Sequence, residues 1–393
     1  MKVLIIGAGA TGSIVAKLLA GRAEIKQIII SDIDAKKARK FITPDPKIVF
    51  KLLDARDGKA VLETAKGAYL LVNASLPYFN EDLMRIALEA GANYQDFASD
   101  WGDGGVEQLK YHNDFKAKGL KAIINSSASP GVTNLLAKEL SLGLKRIECV
   151  KVRLLEDVSS EVPFTAWSKA ILFDEIWNKP LIWSFDKFIT LNNFSDEEIC
   201  HFPEPFSNLK CYLLAQEDIG TIPLYIKTKY ADLKAGGSEI EFARTLFKLG
   251  LFKKSPVRVG EVSVTPYDLL LKVWPDILSP NDMKKLVESG KLHNAYFWAS
   301  VEEKGIRDKK KITRKANILF PNQMEVNKLY PGTNYVSYAA GLSAAIFASA
   351  LPKIKDGGVF PPEALSDDIR AYLIEEMRKS NIKIDISEKE SHT

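Results

Sequence analysis

Lys2-Val3-Leu4-Ile5-Ile6-Gly7-Ala8-Gly9-Ala10-Thr11-Gly12 opens the chain with a short apolar run that ends directly in a Gly-x-Gly-x-x-Gly loop. Behind the loop, residues through Ala20 carry apolar side chains at helical spacing, so the stretch reads as strand, tight turn and helix. In that setting Gly7 permits the turn, Gly9 lets the backbone approach a pyrophosphate, and Gly12 lets the helix pack close to the strand. The amides near Ala10 and Thr11 then face phosphate from the positive end of the helix dipole. Asp32 lies twenty residues beyond Gly12, at the end of the next strand candidate, where a carboxylate bonds an adenosine ribose 2′-hydroxyl and repels a 2′-phosphate. This favours NAD, with NADP possible because Lys36, Lys37, Arg39 and Lys40 follow closely. Two plainer readings stay open: Asp32 as a helix N-cap, and the loop as a glycine-rich turn without ligand. Asp54, after the third strand, either reaches the adenine or caps the next helix.

Outward from this unit, short β-branched runs recur at Gln27–Ser31, Ile48–Leu53, Tyr69–Asn73, Tyr94–Phe97 and Ala122–Asn125. Helical patterns separate them at Asp34–Phe41, Gly58–Ala65, Glu81–Ala90 and Val106–Lys118, which predicts an α/β, doubly wound parallel sheet of six strands. After residue 128 the rhythm changes. Ile147–Leu155 alternates apolar and charged residues, and later pieces predict strands near Pro223–Tyr230, Tyr296–Glu302 and Ile312–Phe320 among helices at Ser168–Trp177, Ser238–Leu249, Thr265–Val273 and Asn281–Glu288. That is an α+β layer, expected to be antiparallel. The final residues return to helical pattern, with a break at 357–363 and a polar tail expected to fray after Ile386.

The 393 residues leave room for two domains. Hydrophobic residues make up 46% and charged ones 26%, and 54 basic against 50 acidic residues give a net charge of +4. Such a balance nominates neither nucleic acid nor an anionic membrane as partner. Cys149, Cys200 and Cys211 have no CxxC spacing and His112, His201, His293 and His392 no HxxxH spacing, so no disulfide framework or metal site is expected. Val3–Ile6 is too short for a signal-peptide core, and Tyr335–Leu351 falls short of a bilayer span and reads as an internal helix. A cytoplasmic setting is the expectation.

Further blocks carry a resemblance: Asn73-Ala74-Ser75-Leu76-Pro77-Tyr78-Phe79, Gly91-Ala92-Asn93-Tyr94-Gln95-Asp96, Ser129-Pro130-Gly131-Val132-Thr133-Asn134, Trp167-Ser168 before Asp174-Glu175, and Gly358-Val359-Phe360-Pro361-Pro362-Glu363. Together with the glycine loop and Asp32, they resemble the saccharopine dehydrogenase and lysine 6-dehydrogenase family. The resemblance implies a Rossmann domain made of residues 1–128 and 334–393, enclosing a central α+β substrate and dimerisation domain at 129–333, and a homodimer. It implies hydride transfer between a nicotinamide cofactor and the C–NH group of a lysine- or saccharopine-like amino acid. Carboxynorspermidine-type, polyamine-forming dehydrogenases are similar in architecture, and a catalytically silent NAD-binding protein of the same fold is the third reading. Val158–Pro163 and Ser127–Gly131 depart from the family pattern where substrate is expected, and the Trp101–Gly105 loop is individual to this chain.

Oxidising a C–N bond to an imine needs a group that takes a proton near neutral pH. Asp96, at the end of the fifth strand beside the ligand crevice of an open α/β sheet, is the catalytic candidate, with helix capping or a lysine pair as the plain alternative. Tyr78 follows Pro77 where the nicotinamide half is expected, either handling a proton or packing against the cofactor. Asn73, Ala74 and Pro77 are expected to line the nicotinamide side, and Ser126 and Ser127 to donate to substrate. Seven basic residues against one acidic in Lys304–Lys315 read as a solvated hairpin. Trp167, Trp177 and Trp183 read as core.

Overall fold

Val3, Leu4 and Ile5 are fully buried in β1 (Lys2–Ile6), and Leu71 and Val72 are equally buried in β4 (Leu70–Asn73). Continuous apolar runs of this kind belong in a sheet covered on both faces, where alternation has no wet side to serve. The computed structural model describes residues 1–100 and 106–391, so the Trp101–Gly105 loop and His392 lie outside the described residues. β1 pairs in parallel with β4 and with β2 (Gln27–Asp32), and β2 with β3 (Ile48–Leu52). β5 (Asn93–Asp96) and β6 (Lys121–Ile123) extend the other side. The sheet has seven strands, not the expected six: Gly358–Phe360 pairs in parallel with β6 at the edge, so the order is Gly358–Phe360, β6, β5, β4, β1, β2, β3. A three-residue strand that starts on the second glycine of a pair and stops at a proline pair is too short for a period-2 signal, which is why the segment reads as a break.

Two compact units divide the chain. The first comprises Met1–Leu144, Gly220–Lys227 and Ser337–Ile384; the second comprises Lys145–Ile219, Thr228–Val336 and the residues from Asp385. The expected boundaries at 128/129 and 333/334 therefore shift, because the helix Val132–Ser141 stays with the first unit. Its Asn134 Nδ2 donates to Thr221 Oγ1 at 3.1 Å and to Glu363 Oε1 at 3.1 Å, all within that unit. Gln95 Nε2 donates to Ala344 O at 2.8 Å, and a Cβ on Gly341 would lie 2.7 Å from Ile14 Cγ2, so the helix Tyr335–Ala350 lies directly on the sheet and on its first helix. Tyr335–Lys353 is long and apolar enough to cross a membrane by length and composition, and 83% of its apolar window is buried inside the protein.

The sheet of the second unit is mixed rather than antiparallel. Its central strand, β7 (Arg146–Ser160), runs antiparallel to Leu292–Arg307 and parallel to Tyr230–Gly236. Between β7 and that parallel neighbour the charges are internal: Arg153 meets Asp232 at 2.8 Å and Glu198 at 2.7 Å, and Lys234 reaches Glu198 at 3.1 Å. Residues 223–230 are not a strand. Asp218–Tyr225 is helical, buries Ile219, Thr221 and Ile222 on one face, and the strand starts only at Tyr230.

The tail does not fray at Ile386 either: Lys383–Ser391 is a strand. Glu388 holds Arg307 and Arg314 at 2.6 and 2.8 Å, and Glu390 holds Lys310, so the tail pairs with three of the basic residues of the hairpin at 304–315. The three tryptophans do not form one core cluster. Trp183 Nε1 donates to Thr228 O at 3.0 Å, Trp177 is 38% exposed beneath the Lys254 ammonium, and Trp167 lines a cavity.

Candidate functional site

The glycine loop is shaped by contacts that only hydrogen side chains allow. Gly7 has φ +102°, and a Cβ there would sit 2.5 Å from Ala74 O; one on Gly12 would sit 2.1 Å from Gly7 O. At Gly9 a Cβ would meet nothing within 4 Å, so the loop is closed toward the sheet and open on its outer side. Gly9 caps the helix Ala10–Ala20 without a side-chain hydrogen bond, which leaves the first amides, at Ala10 and Thr11, directed outward. An open cradle of backbone N–H groups at the carboxyl edge of a parallel sheet fits the pyrophosphate of a dinucleotide.

Asp32 ends β2 with its carboxylate tied to this loop: Oδ2 accepts from Ala8 N at 2.9 Å and Oδ1 from Asp34 N at 3.0 Å. The helix cap is Asp34, which accepts from Lys37 N at 2.9 Å, so the capping alternative for Asp32 falls away. Capping is also excluded for Asp54, because Asp57 caps the helix Gly58–Ala65. The Asp54 carboxylate is instead gripped by Arg56 at 2.6 Å, whose guanidinium holds its pKa below the usual carboxylate range.

Beyond β4, Asn73 shapes the loop that carries Pro77 and Tyr78. Its Oδ1 accepts from Ser75 N at 3.0 Å and Ser75 Oγ at 2.6 Å, and its Nδ2 donates to Asn80 Oδ1 at 2.8 Å. The side chain is thereby used within the loop, and the Ala74 N–H donates to Ile6 O at 2.8 Å, which fixes the start of the loop against β1. Pro77 starts a short turn, and Tyr78 is 58% exposed with its ring 4.5 Å from that of Phe79.

Asp96, at the tip of β5, is 1% exposed. Its Oδ1 accepts from Asn125 N at 2.8 Å and its Oδ2 from Gln108 Nε2 at 3.1 Å. Burial pushes its pKa up to about 8, against the opposing pull of those two donors. Ser99 Oγ donates to Asn125 Oδ1 at 2.7 Å, and Asn125 adopts a left-handed φ of +51°. Asn125 Nδ2 is buried without a partner among the described residues. Sequence reading missed Asn125, Gln108 and Ser99; the signal was a cluster of amide and hydroxyl residues at adjacent strand ends. Ser126 requires a correction: its one hydroxyl proton goes to Asp96 O at 2.7 Å while its oxygen accepts from Gln95 at 3.0 Å, so it locks the loop and has no proton to donate to a substrate. Ser127 closes the turn to Gly131, where a Cβ would lie 2.0 Å from Ser127 O. Among the described residues no group of three or more His, Cys, Asp or Glu side chains could hold a metal ion.

The raised pKa of Asp96 has a consequence for stability. A carboxyl whose folded pKa lies above its unfolded value near 4 stabilises the fold fully below about pH 4, and that contribution is lost as pH rises through about 8. The thermal midpoint is therefore expected to fall by a few degrees between pH 6 and pH 9, and less steeply in Asp96→Asn; scanning calorimetry at both pH values checks this.

Residues 3–123 match the family model of the saccharopine dehydrogenase NADP-binding domain. A carboxyaminopropylagmatine dehydrogenase of Synechocystis sp. is 26% identical over 93% of both chains. Among solved structures, saccharopine dehydrogenase (L-Glu forming) of Saccharomyces cerevisiae superposes with a TM-score of 0.74 at 12% identity over 99% of both chains. Homospermidine synthase of Legionella pneumophila, in complex with NAD, gives 0.66 at 15% identity over 99% of this chain and 91% of that one. At these identities the structural likeness concerns the fold.

Proposed function

We propose, for an NAD(P)-dependent oxidoreductase of the saccharopine dehydrogenase type, that the substrate is an amino-acid-like secondary or primary amine whose C–NH bond is oxidised, or whose imine is reduced. The observation that carries this reading is the open Gly9 cradle with Asp32 at the carboxyl edge of the same sheet where the buried Asp96 ends its strand. Lysine- or saccharopine-like amino acids are the first substrate class. A carboxylated polyamine is the second, favoured by the relative whose length this chain matches almost throughout.

A bound nicotinamide ring supplies the hydride acceptor or donor. The amine loses hydride from carbon and a proton from nitrogen, giving an imine that water can hydrolyse to a carbonyl and an amine. Ala10 and Thr11 amides hold the pyrophosphate, Asp32 the adenosine ribose, and the backbone at Asn73, Ala74 and Pro77 the nicotinamide side. Asp96 takes the proton from nitrogen, Tyr78 orients that nitrogen, and Ser127 remains as the hydroxyl donor to substrate. A screen of cofactor reduction at 340 nm across lysine, saccharopine and carboxylated polyamines tests the reading, and no reduction with any amine would sink it.

NAD is the expected cofactor, at several-fold preference over NADP, since the Asp32 carboxylate meets a 2′-phosphate with like charge. Asp32→Ser is expected to narrow that preference. Calorimetric titration with both cofactors reads it, and equal affinities in the wild type would refute the role.

A further inference from the structure

The second unit holds a half-open cavity of about 480 Å³, bordered by the Val158–Pro163 stretch where substrate is expected. It lies between the end of β7, the stretch 160–167, and the helices Lys169–Trp177 and Ser238–Lys248. Four carboxylates line it: Glu161, which lies 3.7 Å from His293 Nε2, and three with no such neighbour, Glu156 on β7, Glu175 on the first helix and Glu239 in the first turn of the second. Gly237 brings two of them together. With φ +112°, a Cβ there would lie 2.2 Å from Glu156 O, so only glycine lets the helix start against the strand. Ser238 then docks it, donating to Val158 O at 3.0 Å and accepting from Val158 N at 2.8 Å.

These acids lack what buried acids elsewhere in this unit have. Asp232 and Glu198 are matched by Arg153, Lys151 and Lys234. Among the described residues, no lysine, arginine or histidine lies within ion-pair distance of Glu156, Glu175 or Glu239. Glu156 is 5% exposed and its side chain has no hydrogen-bond partner among the described residues. Among the described residues Glu239 accepts from Tyr335 OH alone, at 2.8 Å. Burial and their neighbours' like charge push Glu156 up to about 8 and Glu239 up to about 7. Carboxyls that burial holds largely protonated near neutral pH ionise when a cation enters beside them, so the cavity favours a ligand of positive charge. The remaining wall is aromatic and aliphatic, with Trp167, Trp274, Phe164 and Phe242, and the indole N–H groups of both tryptophans are buried without an acceptor among the described residues. Such a wall suits methylene segments and ammonium groups over ring faces.

We propose that this cavity binds the cationic arm of an aliphatic di- or polyamine, with Glu156, Glu175 and Glu239 as its counter-ions. The assignment deepens the amine-dehydrogenase reading and rests on it for whose arm this is: among the substrate classes, it selects amines with at least two cationic centres, and the two free indole donors leave room for one acceptor on the same molecule.

The test is calorimetric titration of the full-length protein, saturated with NAD, by spermidine, agmatine, cadaverine and 1,8-octanediol, beside the Glu156→Gln and Glu239→Gln variants. Glutamine is isosteric with the protonated acid, so the variants keep the packing; circular dichroism and NAD titration on the same samples verify it. Expected are saturable binding of the amines, none of the uncharged diol, and at least tenfold weaker amine binding in each variant. No amine binding, or affinities unchanged in both folded variants, overturns the assignment. Cofactor reduction measured with the same amines separates the two readings. Glu156-dependent binding without any reduction leaves the cavity assignment standing and removes the reaction, whereas reduction of NAD by an amine that Glu156→Gln turns over normally removes the cavity assignment alone.

Discussion

Gly9→Val is expected to leave the first unit folded while lowering dinucleotide affinity on the order of a hundredfold, about 2.8 kcal/mol. The separation of folding from binding follows from where the new atoms go. Gly9 has an extended backbone, φ −74° and ψ −169°, that any residue adopts, and its Cβ direction is empty to 4 Å. Valine therefore strains nothing in the protein and fills the space through which a pyrophosphate must approach the loop amides. Gly12→Val is the counterpart. Its Cβ would lie 2.1 Å from Gly7 O, so the helix Ala10–Ala20 must move off the strand, and stability falls together with binding. Fluorescence titration with NADH and thermal unfolding of both variants read the contrast. Undiminished affinity in Gly9→Val would mean that the loop is a turn and holds no phosphate.

The loop, its strand and Asp32 were legible in the sequence because each rests on local chemistry: an apolar run, three glycines at fixed offsets and one carboxylate at strand spacing. Where the structure departs from the sequence reading, tertiary partners decide. Lys383–Ser391 looks like a solvated tail until Glu388 and Glu390 find the basic hairpin more than seventy residues earlier in the chain. Pro223 suggests a strand edge, but Ile219 and Ile222 bury one face of a helix there. The parallel pairing of Tyr230–Gly236 with β7, which brings Arg153 to Asp232 at 2.8 Å, is likewise a long-range arrangement.

The site shows the same division. Asp54 sits at the expected strand end, yet Arg56 two residues on claims its carboxylate, a local competition the sequence displays and strand counting overlooks. Ser126 has the residue type of a donor but spends its proton on Asp96 O, which only the fold reveals. The acidic cavity draws Glu156 and Glu175 from neighbouring elements but Glu239 from more than sixty residues further on, so only the fold brings the three together.

Asp96→Asn is expected to lower turnover by about 10²–10⁴-fold, the usual contribution of a general acid or base, while leaving NAD affinity nearly unchanged. The substitution is informative because the surrounding hydrogen bonds can survive it. Asparagine Oδ1 can keep the Asn125 amide, and its Nδ2 faces Gln108, whose side chain needs only to turn its oxygen inward. That rotation disturbs one long contact from Ser99 Oγ, 3.2 Å, while Ser99 keeps Asn125 Oδ1 at 2.7 Å. A fall in rate then reports the missing proton acceptor and not a collapsed loop. With its pKa pushed up to about 8, Asp96 is mostly protonated at neutral pH, so amine oxidation in the wild type should rise as pH passes through 8. In Asp96→Asn that limb should be flat. Access to a substrate nitrogen requires the 3.1 Å Gln108 contact, the longer of the two, to open when the amine arrives. Tyr78→Phe, exposed and packed on Phe79, should cost less than Asp96→Asn. Steady-state kinetics across pH 6–9, with the amine that reduces the cofactor, distinguish these outcomes. Near-wild-type turnover in Asp96→Asn would make the residue a hydrogen-bond hub for the β5 and β6 loops and remove it from the chemistry.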